Sequence, residues 1–241
     1  EAPLPDDQIA ISKIAFQVAV EANRVTPATF PAVVSASLLG AFPRALTEAE
    51  VIREVRDITR WATKRGVRLS PDFNLNYTDK MPELLGNMID EGIIARFDGG
   101  LETVYGIAEG QASIASFYRN TIVHFFLHRA VAELALLALS ERTSEESAMD
   151  RFWEEVRELR DLFKFEFFYP ETREFEEQID QELSREAPGW QERLKDDTDN
   201  ARILLNTLSP KVGHFTLTIF AEAYSIGADI LLRFGEEPGF D

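Results

Sequence analysis

Residues 93–107 read IIARFDGGLETVYGI, and this stretch decides the fold of the first half of the chain. Two runs rich in β-branched and aromatic residues, 93–97 and 103–107, flank Asp98, Gly99 and Gly100, a strong reversal signal. One β-hairpin is expected. Working back from it, Asp79 or Thr78 caps a helix over 81–91 that Gly92 ends, and residues 67–69 form a short extended candidate. Thr47 and Glu50 match a capping box for a helix over 48–65 closed by Gly66. Thr26 and Pro27 open a second helix upstream, with Phe30, Val33, Val34, Ser37 and Leu38 on one face and Gly40 at its end. Before that, residues 6–24 alternate Ile9, Ile11, Ile14, Phe16, Val18 and Val20 with polar residues and predict an amphipathic helix.

Two helices, a strand, a helix and a hairpin follow the order of a winged-helix unit. Downstream of Gly110 only helices are expected: a buried one over 113–140, one opened near Ser144 and Ser147 that runs to Phe168, then 171–185, 190–207 and 210–234. The fold expected is mainly α. A winged-helix-like N-terminal part with one small β-hairpin precedes an irregular α-helical bundle, divided as a leading helix over 1–24, a subdomain over 25–109 and the bundle over 110–241.

With 241 residues, 45% of them hydrophobic, the chain can bury a sizeable core. It carries 25 basic and 42 acidic residues, a formal charge of −17, which opposes phosphate polymers. Residues 141–200 hold 9 basic and 20 acidic residues, a local −11. The helix that would enter a DNA groove sets Lys80 against Glu83, Asp90 and Glu91, so nucleic acid is not an expected partner. No Cys is present, which excludes disulfides, thiolate metal sites and a cysteine nucleophile, and favours a reducing compartment. The apolar run 121–139 is interrupted by His124, His128, Arg129 and Glu133, so no transmembrane segment is expected. A start at Glu1 without a signal-peptide pattern reads as a piece of a longer chain.

Searches for chemistry return little. His124 and His128 share a helix face at i, i+4, but the glutamate of a His-Glu-x-x-His zinc motif is absent, so no metal or cofactor is expected. An acyl-transfer His-x-x-x-x-Asp pair would need Asp five residues after His; those positions hold Arg129, Glu133 and Ile219. The histidines read as core or boundary residues hydrogen-bonded along helices. No Gly-x-Ser-x-Gly elbow or phosphate loop occurs, and the acidic run 196–199 lacks the turn of an EF-hand. Two surface features remain. Arg53, Arg56, Arg60 and Lys64 fall within about 80 degrees of one another on a helical wheel, opposite Val51, Val55, Ile58 and Ala62. With Asp57 and Glu54 nearby, this is either a salt-bridged solvent face or a contact for anionic lipid or an acidic domain surface. The aromatics of 162–169 are either core or a docking patch.

Residues 13–16 (KIAF), 23–27 (NRVTP), 37–40 (SLLG), 44–47 (RALT), 97–100 (FDGG), 104–107 (VYGI), 117–126 (FYRNTIVHFF) and 162–170 form a series of segments in a fixed order. Together they resemble the region that follows the catalytic domain in bacterial glycerol-3-phosphate acyltransferases. The resemblance implies a noncatalytic part of an enzyme that moves an acyl chain from acyl-CoA or acyl carrier protein to glycerol 3-phosphate, in phospholipid synthesis. It also implies the catalytic domain of the same polypeptide as partner and a peripheral place on the cytoplasmic face of the membrane. The acid-base motif of that family lies in a domain upstream, so this chain alone is expected to be inactive. The alternative is an autonomous winged-helix-like interaction or regulatory module.

Overall fold

The computed structural model describes residues 5–71, 73, 77–141, 147–194 and 199–236. Among these the protein is mainly helical, with one three-stranded sheet. Chain contacts divide it into two compact units, Glu1–Phe125 and Phe126–Asp241.

In the first unit, α1 (Pro5–Val25) is the expected leading helix. Thr26 ends it instead of opening the next: its hydroxyl donates to the Ala22 carbonyl and its N–H to that of Asn23. Ala28 is held extended, because its N–H donates to the Arg68 carbonyl and its own carbonyl accepts from Ser70. Helix α2 (Phe30–Ala41) therefore cannot start before Thr29, whose hydroxyl accepts the Ala32 N–H at 3.3 Å, and Pro31 rather than Pro27 lies in its first turn. Nor does α2 bury one face only. Ala32, Val33, Val34, Ser35 and Ala36 are all enclosed, and α5 (Ala112–Asn120) packs along it.

The capping box of α3 (Glu48–Lys64) is present: Thr47 Oγ1 accepts the Glu50 N–H, and Glu50 Oε2 accepts the Thr47 N–H at 2.9 Å. An N-cap residue has extended backbone angles, here φ −65° and ψ 160°, so Thr47 can also end a strand. It does. Strand β1 (Leu46–Thr47) pairs antiparallel with β3 (Val104–Ile107), Leu46 opposite Tyr105, and β2 (Ile94–Phe97) pairs on the other side, giving the order β1-β3-β2. The extended candidate at 67–69 supplies only one parallel bridge, Leu69 to Ala28. Helix α4 (Tyr77–Asp90) begins before the expected caps, so Thr78 and Asp79 lie inside its first turn. At the hairpin end, Asp98 Oδ1 accepts from Arg96 Nε and from the Thr103 hydroxyl. The Thr103 hydrogen bond, then Arg96, holds this carboxyl below its usual range.

The helix expected over 113–140 is two. Thr121 sends both its N–H and its hydroxyl to the Tyr118 carbonyl, and this local competition tightens the turn between α5 and α6 (Val123–Glu141). Among the described residues α6 alone is long and apolar enough to cross a membrane by length and composition, and most of it is buried within the protein. In the second unit, Ser147 caps α7 (Ala148–Leu162), which stops six residues short of the expected Phe168 in a turn closed by Glu166 and Phe167 N–H groups on the Phe163 carbonyl. Ser144 lies outside the described residues. Next come α8 (Thr172–Glu186), α9 (Trp190–Leu194) and α10 (Asp199–Thr207); Asp196, Asp197 and Thr198 of the acidic run are again outside the description. The final expected helix is broken into α11 (Gly213–Thr216) and α12 (Thr218–Glu236).

Candidate functional site

Helix α3 separates its residues as its pattern requires. Val51, Val55, Ile58 and Ala62 are buried, and Arg53, Arg56, Arg60 and Lys64 are exposed on the other side. The neighbouring acids compensate this face only loosely: Arg53 lies 3.7 Å from Glu54, and Arg60 lies 3.7 Å from Asp57. Solvated pairs of that length contribute little. Burial pushes the Glu54 carboxyl up, against the pull of Arg53. Among the described residues, Arg56 and Lys64 form no ion pair. The face is a row of four exposed cations on one helix.

His124 and His128 are held apart on separate partners. His124 is hydrogen-bonded to the Asn23 backbone and His128 to the Gln178 side chain, partners on other elements rather than along their own helix. The Nε2 atoms of both are buried without a hydrogen-bond partner. Burial lowers His128 to about 4, and the Gln178 bond opposes this only in part. Burial also lowers His124 and His214. No group of three or more metal-binding side chains occurs among the described residues.

A cluster that the spacing tests passed over lies at the centre of the second unit. Arg129 is 0% exposed; its Nε donates to Glu133 Oε1 at 3.0 Å, and Glu182 and the Pro210 carbonyl lie at 3.5 Å. Glu133 Oε2 accepts the N–H groups of Val212 (2.9 Å) and Gly213 (2.8 Å). Its carboxyl is nonetheless raised, because desolvation outweighs Arg129. A Cβ at Gly213 would meet Glu133 Oε2 at 3.2 Å, which explains a glycine there. The network joins α6, α8 and the segment before α11, and its signal in the sequence was an i, i+4 Arg and Glu inside an apolar run. It is a clamp, enclosed rather than open to a substrate.

The aromatic segment divides between the two readings open to it. Phe163 is buried and Phe167 packs on Phe220 at 5.1 Å, while Phe165 is 85% exposed.

The family model described as "Glycerol-3-phosphate acyltransferase C-terminal region" matches residues 1–241. Proteins named "Putative acyltransferase plsB1" from Mycobacterium bovis and Mycobacterium tuberculosis are 35% identical over 232 residues, 96% of this chain. The chain spans 37% of the length of these curated relatives. A family match over every residue, with relatives at this identity, decides the matter: the chain belongs to the glycerol-3-phosphate acyltransferase C-terminal region family.

Proposed function

We propose that this chain is the noncatalytic part of a glycerol-3-phosphate 1-O-acyltransferase, holding the catalytic domain against the cytoplasmic face of the membrane. The observation that carries the membrane role is the exposed cationic face of α3, with two of its four cations outside any ion pair among the described residues. The helix, strand, helix, helix, strand, strand order of α2, β1, α3, α4, β2 and β3 supports a winged-helix-like reading of the first unit. Its use is protein or lipid contact, since α4 exposes Glu83 and Asp90 beside Lys80 and buries Met81, Leu85 and Met88.

Each Lys or Arg near an anionic leaflet contributes about 1 kcal/mol, so four contribute roughly 4 kcal/mol at most. Asp57 and the charge of −17 reduce this, and a Debye length of about 8 Å limits the effect to the contacting face. Weak, salt-sensitive pelleting with anionic vesicles is expected, falling to the level of neutral vesicles when Arg53, Arg56, Arg60 and Lys64 are all changed to Gln. Equal pelleting of the two proteins removes the lipid role.

The chain alone is expected to release no thiol from acyl-CoA in the presence of glycerol 3-phosphate, whereas a longer polypeptide that includes it turns over. Turnover by the chain alone that disappears in His124→Ala or His128→Ala overturns the noncatalytic reading.

A further inference from the structure

Helix α12 has a wider apolar sector than its neighbours cover. At about 100 degrees per residue, Phe220, Tyr224 and Gly227 fall on one half of that sector and Ile219, Ala223, Ile226 and Ile230 on the other. Glu222, Asp229 and Arg233 occupy the polar side. The first half is seated on the turn at 163–168: Phe220 meets Phe167 at 5.1 Å, Tyr224 meets Phe163 at 6.0 Å, and the Tyr224 hydroxyl donates to Glu166 at 2.8 Å. The second half faces outward, with Ile219 43%, Ile226 61% and Ile230 47% exposed, and past the seated turn Leu231 and Leu232 are exposed as well, so the uncovered apolar surface widens toward the end of the helix. The same turn directs Phe165 outward as well. Apolar positions at this helical spacing bury themselves against something.

Charge decides between lipid and protein. Helices that lie in a lipid interface carry Lys and Arg along their polar face. Here two acids face one Arg, and residues 141–200 of the same unit carry a local −11. The net negative charge of this polar side and of the unit as a whole disfavours an anionic bilayer and favours a partner with basic flanks. Length indicates where that partner resides: the chain spans 37% of its curated relatives, so most of those polypeptides lies elsewhere. Resting on the function proposed above, we infer that the stripe of Ile219, Ala223, Ile226 and Ile230 docks an apolar, basic-flanked helix face from the remaining part of the same polypeptide, the part that carries the acyltransferase chemistry.

The test uses the full-length polypeptide in phosphatidylcholine and phosphatidylglycerol vesicles, with a photoreactive residue at Ile226 or Ile230 and a control at Glu222. Cross-linked peptides from outside this chain, in a species of monomer mass and absent from the control, are the expected result. Cross-links to a second copy, to lipid, or to nothing overturn the proposal. Independently, Ile226→Glu with Ile230→Glu should lower the melting temperature of the full-length polypeptide by about 5 °C or more and that of this chain alone by less than about 2 °C. Equal shifts overturn it. If the full-length polypeptide acylates glycerol 3-phosphate but the cross-links are missing, only the docking falls; if it releases no thiol, the functional reading falls whatever the cross-links show.

Discussion

Glu133→Ala is expected to destabilise the protein by about 3–5 kcal/mol, the range for breaking a buried ion pair from one side. Arg129 is fully enclosed, so removal of its 3.0 Å partner leaves the guanidinium with Glu182 and the Pro210 carbonyl, both at 3.5 Å. The N–H groups of Val212 and Gly213 lose their acceptor at the same time, and an unsatisfied buried donor costs roughly 1–3 kcal/mol. Glu182 retains part of the compensation, which keeps the expectation toward 3. Replacing both members, Arg129→Met with Glu133→Met, removes the orphaned charge and should cost less than the single change. Urea unfolding of the wild type, Arg129→Met, Glu133→Met and the double Met variant completes the cycle, with Glu133→Ala measured beside it. A Glu133→Ala cost below about 1 kcal/mol would falsify the clamp.

Acidification between pH 6.5 and about 4 is expected to remove roughly 3 kcal/mol through His128 alone. An unfolded histidine takes its proton near 6.5, but burial lowers the native group to about 4. The unfolded state therefore binds the extra proton first, and stability that is complete above 6.5 drains as pH falls, with no further loss from this group below about 4. At about 1.36 kcal/mol per pH unit the window gives the stated figure as an upper bound. Its Nε2 is enclosed without a partner, but the residue as a whole is only half-buried, and solvent screening brings the loss below that bound. Glu133 acts in the opposite sense: burial raises its carboxyl above the ordinary range, so its contribution grows as pH falls toward the unfolded carboxylate range and offsets part of the His128 loss. Urea unfolding of the wild type and His128→Gln at pH 7, 5.5 and 4 separates the two. The stability difference between them should move against the wild type across this window, and parallel profiles would refute the assignment.

Both effects arise from long-range packing, whereas the basic stripe of α3 needed only local pattern. Its burial follows because Val51, Val55, Ile58 and Ala62 repeat at helical spacing, and the four cations must then lie opposite. The capping box, the hairpin and the mainly helical class were legible for the same reason: each is set by residues within a few positions of one another. Where the sequence reading missed, a distant segment usually intervened. Thr26 has the chemistry of a cap, but Arg68 and Ser70 hold Ala28 extended and move the helix start to Thr29. Leu46 and Thr47 become a strand because β3 lies ready to pair with them, about sixty residues on. Thr121 is an exception in kind, since its break between α5 and α6 is local, and the apolar periodicity on either side concealed it. The sequence by itself determined the helical class, the family and the outward charge of α3. Only tertiary structure decided which strands pair, that Arg129 and Glu133 meet Glu182 and Gly213, and that Phe220 and Tyr224 of α12 pack on the turn at 163–168, because these depend on contacts between residues dozens of positions apart that no local pattern encodes.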